Sequence, residues 1–318
     1  MAAVMLFSFA SCKDGNGGVT DPEETTSYIR ENKTRISVLD GVDILGTAKL
    51  KVSRDYAYTV TTCNDAAEIM NMVTEGKADL AALPLDLAAK LYNTTNGEVK
   101  IIAVNNLGAL HLLTSDKEAT KFSDMKGETV YATGKGGYYE YYINYILTQN
   151  GIDPEKDVTI EYKEQDELIN FALSGNAKFC FIPEPYATRV VMENEEMNRF
   201  INLVAQWEKA AGTKPVQGVV VARTEYIEQN PEYIEQFLSQ NEVSLNFLNV
   251  DGTQGPSFLL NNNYFSTLEI AQACIPACNL VFMKGEDMKP GIKGVFDAFF
   301  GIDPASVGGA IPDDGIFY

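Results

Sequence analysis

Residues 133–144, TGKGGYYEYYIN, hold the part of this chain best suited to binding chemistry. Gly134, Gly136 and Gly137 carry no Cβ, so backbone amides there can come close to a solute. The helix predicted to follow would aim free N–H groups and a positive dipole end at an anionic or carbonyl-bearing molecule. Thr133 can add a hydroxyl, and Tyr138 can stack on a planar ring. A plain glycine-rich turn has the same composition. The GKGG run lacks the GxxxxGK[ST] spacing and the hydroxyl after the lysine, which excludes a nucleotide-binding P-loop. Tyr139, Tyr141, Tyr142 and Tyr145 cannot all share one side of a helix of period 3.6, so most of them belong to packing or surface.

Groups for covalent or acid–base catalysis are missing from the sequence. It contains neither GxSxG nor HExxH, and its one histidine, His111, sits in the apolar run LHLL, where a core or crossing role is expected. Of the cysteines Cys12, Cys63, Cys180, Cys274 and Cys278, only the last two are close, and their CIPAC spacing lacks the partners of a zinc site. Buried free thiols are expected there; a 274–278 disulfide, strained by Pro276, stays open. No catalytic residue, metal or cofactor is therefore expected.

With 25 Lys and Arg against 44 Asp and Glu, the 318-residue chain has a formal charge of −19, which repels nucleic acid and excludes it as a partner. Hydrophobic residues make up 45%, enough for the core of one large or two moderate domains. Residues 1–11, MAAVMLFSFAS, are apolar and end in small residues, and Cys12 then opens the polar run KDGNGGVTDPEETTS. That order resembles the end of a bacterial lipoprotein signal peptide, which makes Cys12 the expected lipidation site and residues 1–32 signal and tether. No later run approaches the roughly 20 apolar residues of a membrane span.

The binding segments need elements to position them. From about Lys33, short β-rich runs at residues 36–39, 58–62, 79–83, 100–104, 128–132, 157–162, 178–182 and 217–222 alternate with amphipathic stretches. Such alternation predicts α/β architecture with parallel sheets covered on both faces. Residues 68–88 and 167–187 repeat each other at an offset of 99, pairing Gly76 with Gly175 and Pro84 with Pro183. Each copy reads as a helix, a glycine ending it in the left-handed conformation, a buried strand, then a proline that takes the chain out of the sheet. Ligands of open α/β sheets bind at that edge. Two copies thus imply two lobes facing one cleft. In residues 231–250, Tyr233, Phe237, Leu238, Leu245 and Leu248 form a helical core stripe. The single tryptophan, Trp207, is expected in the core.

Residues 67–93, 126–147, 181–190 and 217–238 resemble solute-binding proteins of the nitrate, sulfonate, taurine and thiamine-precursor group of ABC importers, and the likeness runs from about Lys33 to Tyr318. The resemblance implies an α/β fold of two parallel-sheet lobes with a ligand cleft between them, the type II periplasmic-binding-protein fold. Lobe 1 would comprise residues 33–107 and 218–318, and lobe 2 residues 108–217. Ligand contacts would come from Asp40 and Gly41; Leu83 and Pro84; Thr133, Gly134, Gly136, Gly137 and Tyr138; and Glu184, Pro185 and Tyr186. Asp86 and Glu184 each stand near a helix start, where an acid also serves as a cap; Glu184, set between prolines, is the stronger candidate for ligand contact. The implied role is capture of a small solute, with permease and ATPase subunits as partners. The protein would act as a monomer held by lipid on the outer face of a bacterial membrane, or in the periplasm. The alternative on the same fold is a pyrimidine synthase of thiamine biosynthesis, which needs lysine-bound pyridoxal phosphate and a reactive histidine.

Overall fold

The computed structural model describes residues 33–52, 58–250 and 252–318; Cys12 and the tether lie outside them. β-Branched runs form strands and amphipathic runs form helices, in alternation. First come β1 (Thr34–Leu39), α1 (Asp43–Val52), β2 (Tyr58–Cys63), α2 (Ala66–Thr74), β3 (Leu80–Pro84), α3 (Leu85–Thr94) and β4 (Val99–Asn106). Next are β5 (Leu110–Thr114), β6 (Thr129–Ala132), α4 (Tyr138–Gln149), β7 (Thr159–Tyr162), α5 (Gln165–Leu173), β8 (Phe179–Pro183), α6 (Tyr186–Glu193), β9 (Asn198–Ile201) and α7 (Leu203–Ala211). β10 (Gly218–Arg223) precedes α8 (Thr224–Gln229), α9 (Pro231–Val250), α10 (Gln254–Asn261), α11 (Leu268–Ala277), β11 (Leu280–Met283) and α12 (Lys289–Ile302).

The strands form two sheets, ordered β11-β4-β10-β3-β1-β2 and β7-β6-β8-β5-β9. Apart from β11 the two orders correspond strand for strand, so the repeat seen in the sequence extends to whole sheets. Its two copies place β3 and β8 at equivalent positions, and Gly76 (φ +66°) and Gly175 (φ +74°) both take the left-handed conformation after their helices.

The sheets are mixed rather than parallel throughout. β10 runs antiparallel to β3 and β4, and β5 antiparallel to β8 and β9. The reason lies in connectivity. β4 ends at the edge where the two sheets face each other, and residues 107–109 deliver the chain to the corresponding edge of the second sheet. β5 therefore starts where β6 and β8 end, and must run against β8. The return through residues 212–217 imposes the same reversal on β10. Local alternation of strand and helix carries no information on such a crossing.

Apolar side chains fill both faces of the central strands; all of β8 and the first four residues of β3 are buried. An aromatic cluster anchors α4. Tyr142 stacks on Trp207 with centroids 5.3 Å apart and planes 4° apart, and Tyr138 meets Phe299 of α12 edge-on at 5.0 Å. Such pairs add about 0.5–1.5 kcal/mol each beyond buried area. Trp207 is thus a core residue. In α9 the buried stripe holds Ile234, while its neighbour Tyr233 is exposed, a one-residue rotation from the sequence expectation. Cys274 and Cys278 are buried free thiols whose sulfurs lie 3.4 Å apart, beyond the roughly 2.05 Å of a disulfide. No helix among the described residues is long and apolar enough to cross a membrane.

Candidate functional site

Strands whose C-terminal ends meet across two sheets leave a gap that loops must line. Here that gap is a cavity of about 140 Å³. From the first sheet it takes Asp40, Gly41 and Asp43 after β1, and Pro84 at the end of β3. The second sheet contributes Gly134, Gly137, Tyr138 and Tyr139 after β6, Gln165 at the start of α5, and Pro183, Glu184 and Tyr186 after β8. Gln217, the last residue before β10, completes the wall between them.

Most of the sequence-predicted residues converge here: Asp40, Gly41, Pro84, Gly134, Gly137, Tyr138, Glu184 and Tyr186. Pro185 lines an adjoining cavity of about 320 Å³ that shares Asp40, Gly41 and Tyr186. Three other predicted residues do not line either cavity. Leu83 pairs with Val219 inside the sheet and is buried in the apolar core. Thr133 is buried and does not line the cavity. Gly136 is exposed outside it, and its amide donates to the Glu140 carboxylate.

That last bond changes the meaning of the glycine loop. The Gly137 amide is also engaged, donating to the Gly134 carbonyl at 3.2 Å. Glu140 in the first turn of α4 and the Gly134 carbonyl thus occupy two donors that an anion would need. Tyr138 is likewise committed: its hydroxyl donates to the Val216 carbonyl at 2.9 Å and its ring stacks on Tyr142 at 5.8 Å. It fastens α4 to the return connection instead of offering a free face.

Sequence reasoning missed several lining residues, among them Gln217, Tyr139 and Asp43. Gln217 takes the Ala109 amide on Oε1 at 2.8 Å and donates from Nε2 to the Tyr139 hydroxyl at 3.1 Å, tying both connections to α4. Burial pushes the Tyr139 phenol well above its ordinary range, and nearby Asp43 adds to the rise. Helical periodicity could not choose Tyr139 among four tyrosines. Asp43 followed the named loop by two residues, but an acid in a first helical turn reads as a cap.

The acids near the cavity differ in their partners. Glu184, 1% exposed, is bonded by the Arg199 guanidinium, accepts the Thr188 amide at 3.1 Å and lies 3.3 Å from His111 Nε2. Its carboxylate therefore braces the start of α6 at the cavity wall. Burial lowers the His111 pKa, while Glu184 works to raise it. Asp86, 1% exposed, pairs with Lys90 at 3.1 Å through Oδ2, and its Oδ1 has no partner among the described residues. Burial raises its pKa. Asp43, 4% exposed, accepts one bond, from Asn106 Nδ2 to Oδ1 at 3.1 Å. Burial lifts its pKa to about 7, and the charge of Asp86 contributes. Among the described residues no Lys, Arg or His lines the cavity, and no cluster of three or more His, Cys, Asp or Glu could hold a metal ion.

Two sheets of matching order, joined by two connections and facing each other across a cavity at their strand ends, define the α/β fold of the type II periplasmic solute-binding proteins. The chain belongs to the NMT1/THI5-like family, whose profile matches residues 59–249. Its fold is similar to that of an ABC transporter protein from Parabacteroides distasonis, with 17% identity, TM-score 0.75, and coverage of 91% of this chain and 99% of the other. It also resembles the periplasmic aliphatic sulphonate binding protein SsuA of Escherichia coli (14%, TM-score 0.70, coverage 88% and 91%). The periplasmic nitrate-binding protein NrtA of Synechocystis PCC 6803 is similar at 13% identity and TM-score 0.56, over 81% and 74% of the two chains. No curated protein matches by sequence.

Proposed function

We propose that this chain is the extracytoplasmic solute-binding component of an ABC importer. It captures a small molecule between lobe 1 (residues 33–107 and 218–318) and lobe 2 (residues 108–217), then presents the closed form to permease and ATPase subunits. One observation carries this reading: the cavity is walled by strand ends of both sheets, so a single solute can touch both and shift an open–closed equilibrium. The sulphonate- and nitrate-binding proteins that share the fold support the same role. A cavity wall without lysine or histidine among the described residues favours binding over Schiff-base chemistry of the pyrimidine-synthase kind. Cys12 is the proposed lipid attachment point, and Cys12→Ser should move the protein from the membrane to the soluble fraction.

The test is a solute screen on the purified chain by thermal shift and calorimetry, repeated on Gly137→Val. A ligand-dependent rise in Tm that the variant weakens without unfolding supports the assignment. Unchanged affinity in the variant removes the loop from the site, and a bound pyridoxal phosphate absorbing as a Schiff base overturns the binding role.

A further inference from the structure

Asp43 stands in the first turn of α1 with one carboxylate oxygen bonded and the other not. Asn106 holds Oδ1, while Oδ2 takes no hydrogen bond from the described residues, in a side chain that lines the cavity. The side chain is 4% exposed, and the oxygen without a donor is not among the fully buried unpartnered atoms, so it keeps access from the cavity, where a further donor on a solute can satisfy it. Its seat is specific. At Gly218 a Cβ would lie 2.0 Å from Asn106 Nδ2 and 2.2 Å from Asp43 Oδ1, so the pair fits only against a strand residue without a side chain.

The surroundings reinforce the same preference. Asp40 shares the wall, Asp86 lies close enough to raise the Asp43 pKa, and no cation lines the cavity among the described residues. Two cations beside the cavity are spent on acids, Lys90 on Asp86 and Arg199 on Glu184, while Lys51 lines the adjoining cavity. An oxyanion placed here would meet like charge, with the Gly136 and Gly137 amides already bonded. Beside Asp43, the Tyr139 hydroxyl accepts from Gln217 and keeps its own hydrogen to donate to an acceptor atom. At about 140 Å³ the space falls below the roughly 300–1,000 Å³ of sites for drug-sized ligands, so the solute is small.

We propose that the cleft selects a small nitrogen-bearing solute, an ammonium or amidine-type cation, whose N–H groups donate to Asp43, and that Asp43 sets this specificity against oxyanions. The inference rests on the solute-binding function proposed above. Near-isosteric pairs test it on the full chain by calorimetry and thermal shift: ethylamine against ethanesulfonate, acetamidine against acetate, and benzamidine against benzoate, with nitrate alongside. The expected result is binding by a nitrogen-bearing member and none by its anionic counterpart, with Asp43→Asn weakening that binding about tenfold or more, as for loss of one charge-assisted hydrogen bond. The comparison of pairs in the unaltered chain stands whether or not the variant folds. Binding of an anion alone, or unchanged affinity in Asp43→Asn, overturns the inference and leaves solute binding intact. Silence from both members of every pair counts against both.

Discussion

Glu184 and Asp43 are both buried carboxylates at the cavity, one in each half of the molecule, yet they are built differently. Glu184 receives the Arg199 guanidinium and the Thr188 amide, with His111 beside it. Among the described residues, Asp43 receives only Asn106. A buried acid whose donors all come from the chain is scaffold, because nothing is left for a solute to offer. A buried acid left one donor short remains able to bind one. Position at a strand end does not distinguish the two; the number of donors does.

The largest effect expected from this contrast is at Asp43. Its pKa is about 7 in the folded chain against 3.8 ordinarily, and each unit between them is worth about 1.4 kcal/mol. The folded state keeps the proton that the unfolded chain has lost, so stability is full below about pH 4 and falls as pH rises to about 7. Asp43→Asn should therefore stabilise the ligand-free protein by up to about 4 kcal/mol at pH 8 and by almost nothing at pH 4, as urea unfolding at the two pH values would show. An equal effect at both would mean that the acid is satisfied after all.

Glu184→Ala should do the opposite, lowering stability by about 3 kcal/mol, at the low end for a broken buried ion pair because the Arg199 side chain is 35% exposed. If stability held while solute affinity fell, Glu184 would belong with Asp43 as a binding acid. A smaller loss, about 2 kcal/mol, is expected for Gly218→Ala, where the new Cβ must displace Asn106 or Asp43. Full retention of stability would show that the pair relaxes freely and is not seated by the strand.

Much of the architecture was legible in the sequence, because its signals are local. Each of the eight predicted strands exists within a residue or two. β5 was signalled only by the apolar run LHLL around His111, and β9 and β11 were missed; the last two are four-residue edge strands with no alternation to mark them. Strand–glycine–proline punctuation located the loops that meet at the cavity, since proline and left-handed glycine act within a few residues. Within those loops the reading was poorer. Leu83 and Thr133 border the site in sequence, but their side chains fall on the buried side. Gly136 has the required freedom, but its amide is taken by a side chain four residues on.

What the sequence determined by itself was the two-part α/β plan, its internal repeat and the segments that end at the cavity, all consequences of short-range periodicity and turn chemistry. Tertiary structure alone decided strand direction at the two connections and the role of each acid. Asp43 depends on Asn106, 63 residues away, and on the bare strand position Gly218. Glu184 depends on Arg199 and His111, which arrive on β9 and β5. Whether a buried polar atom is satisfied is settled by partners distant in the chain, so no local pattern can reveal it.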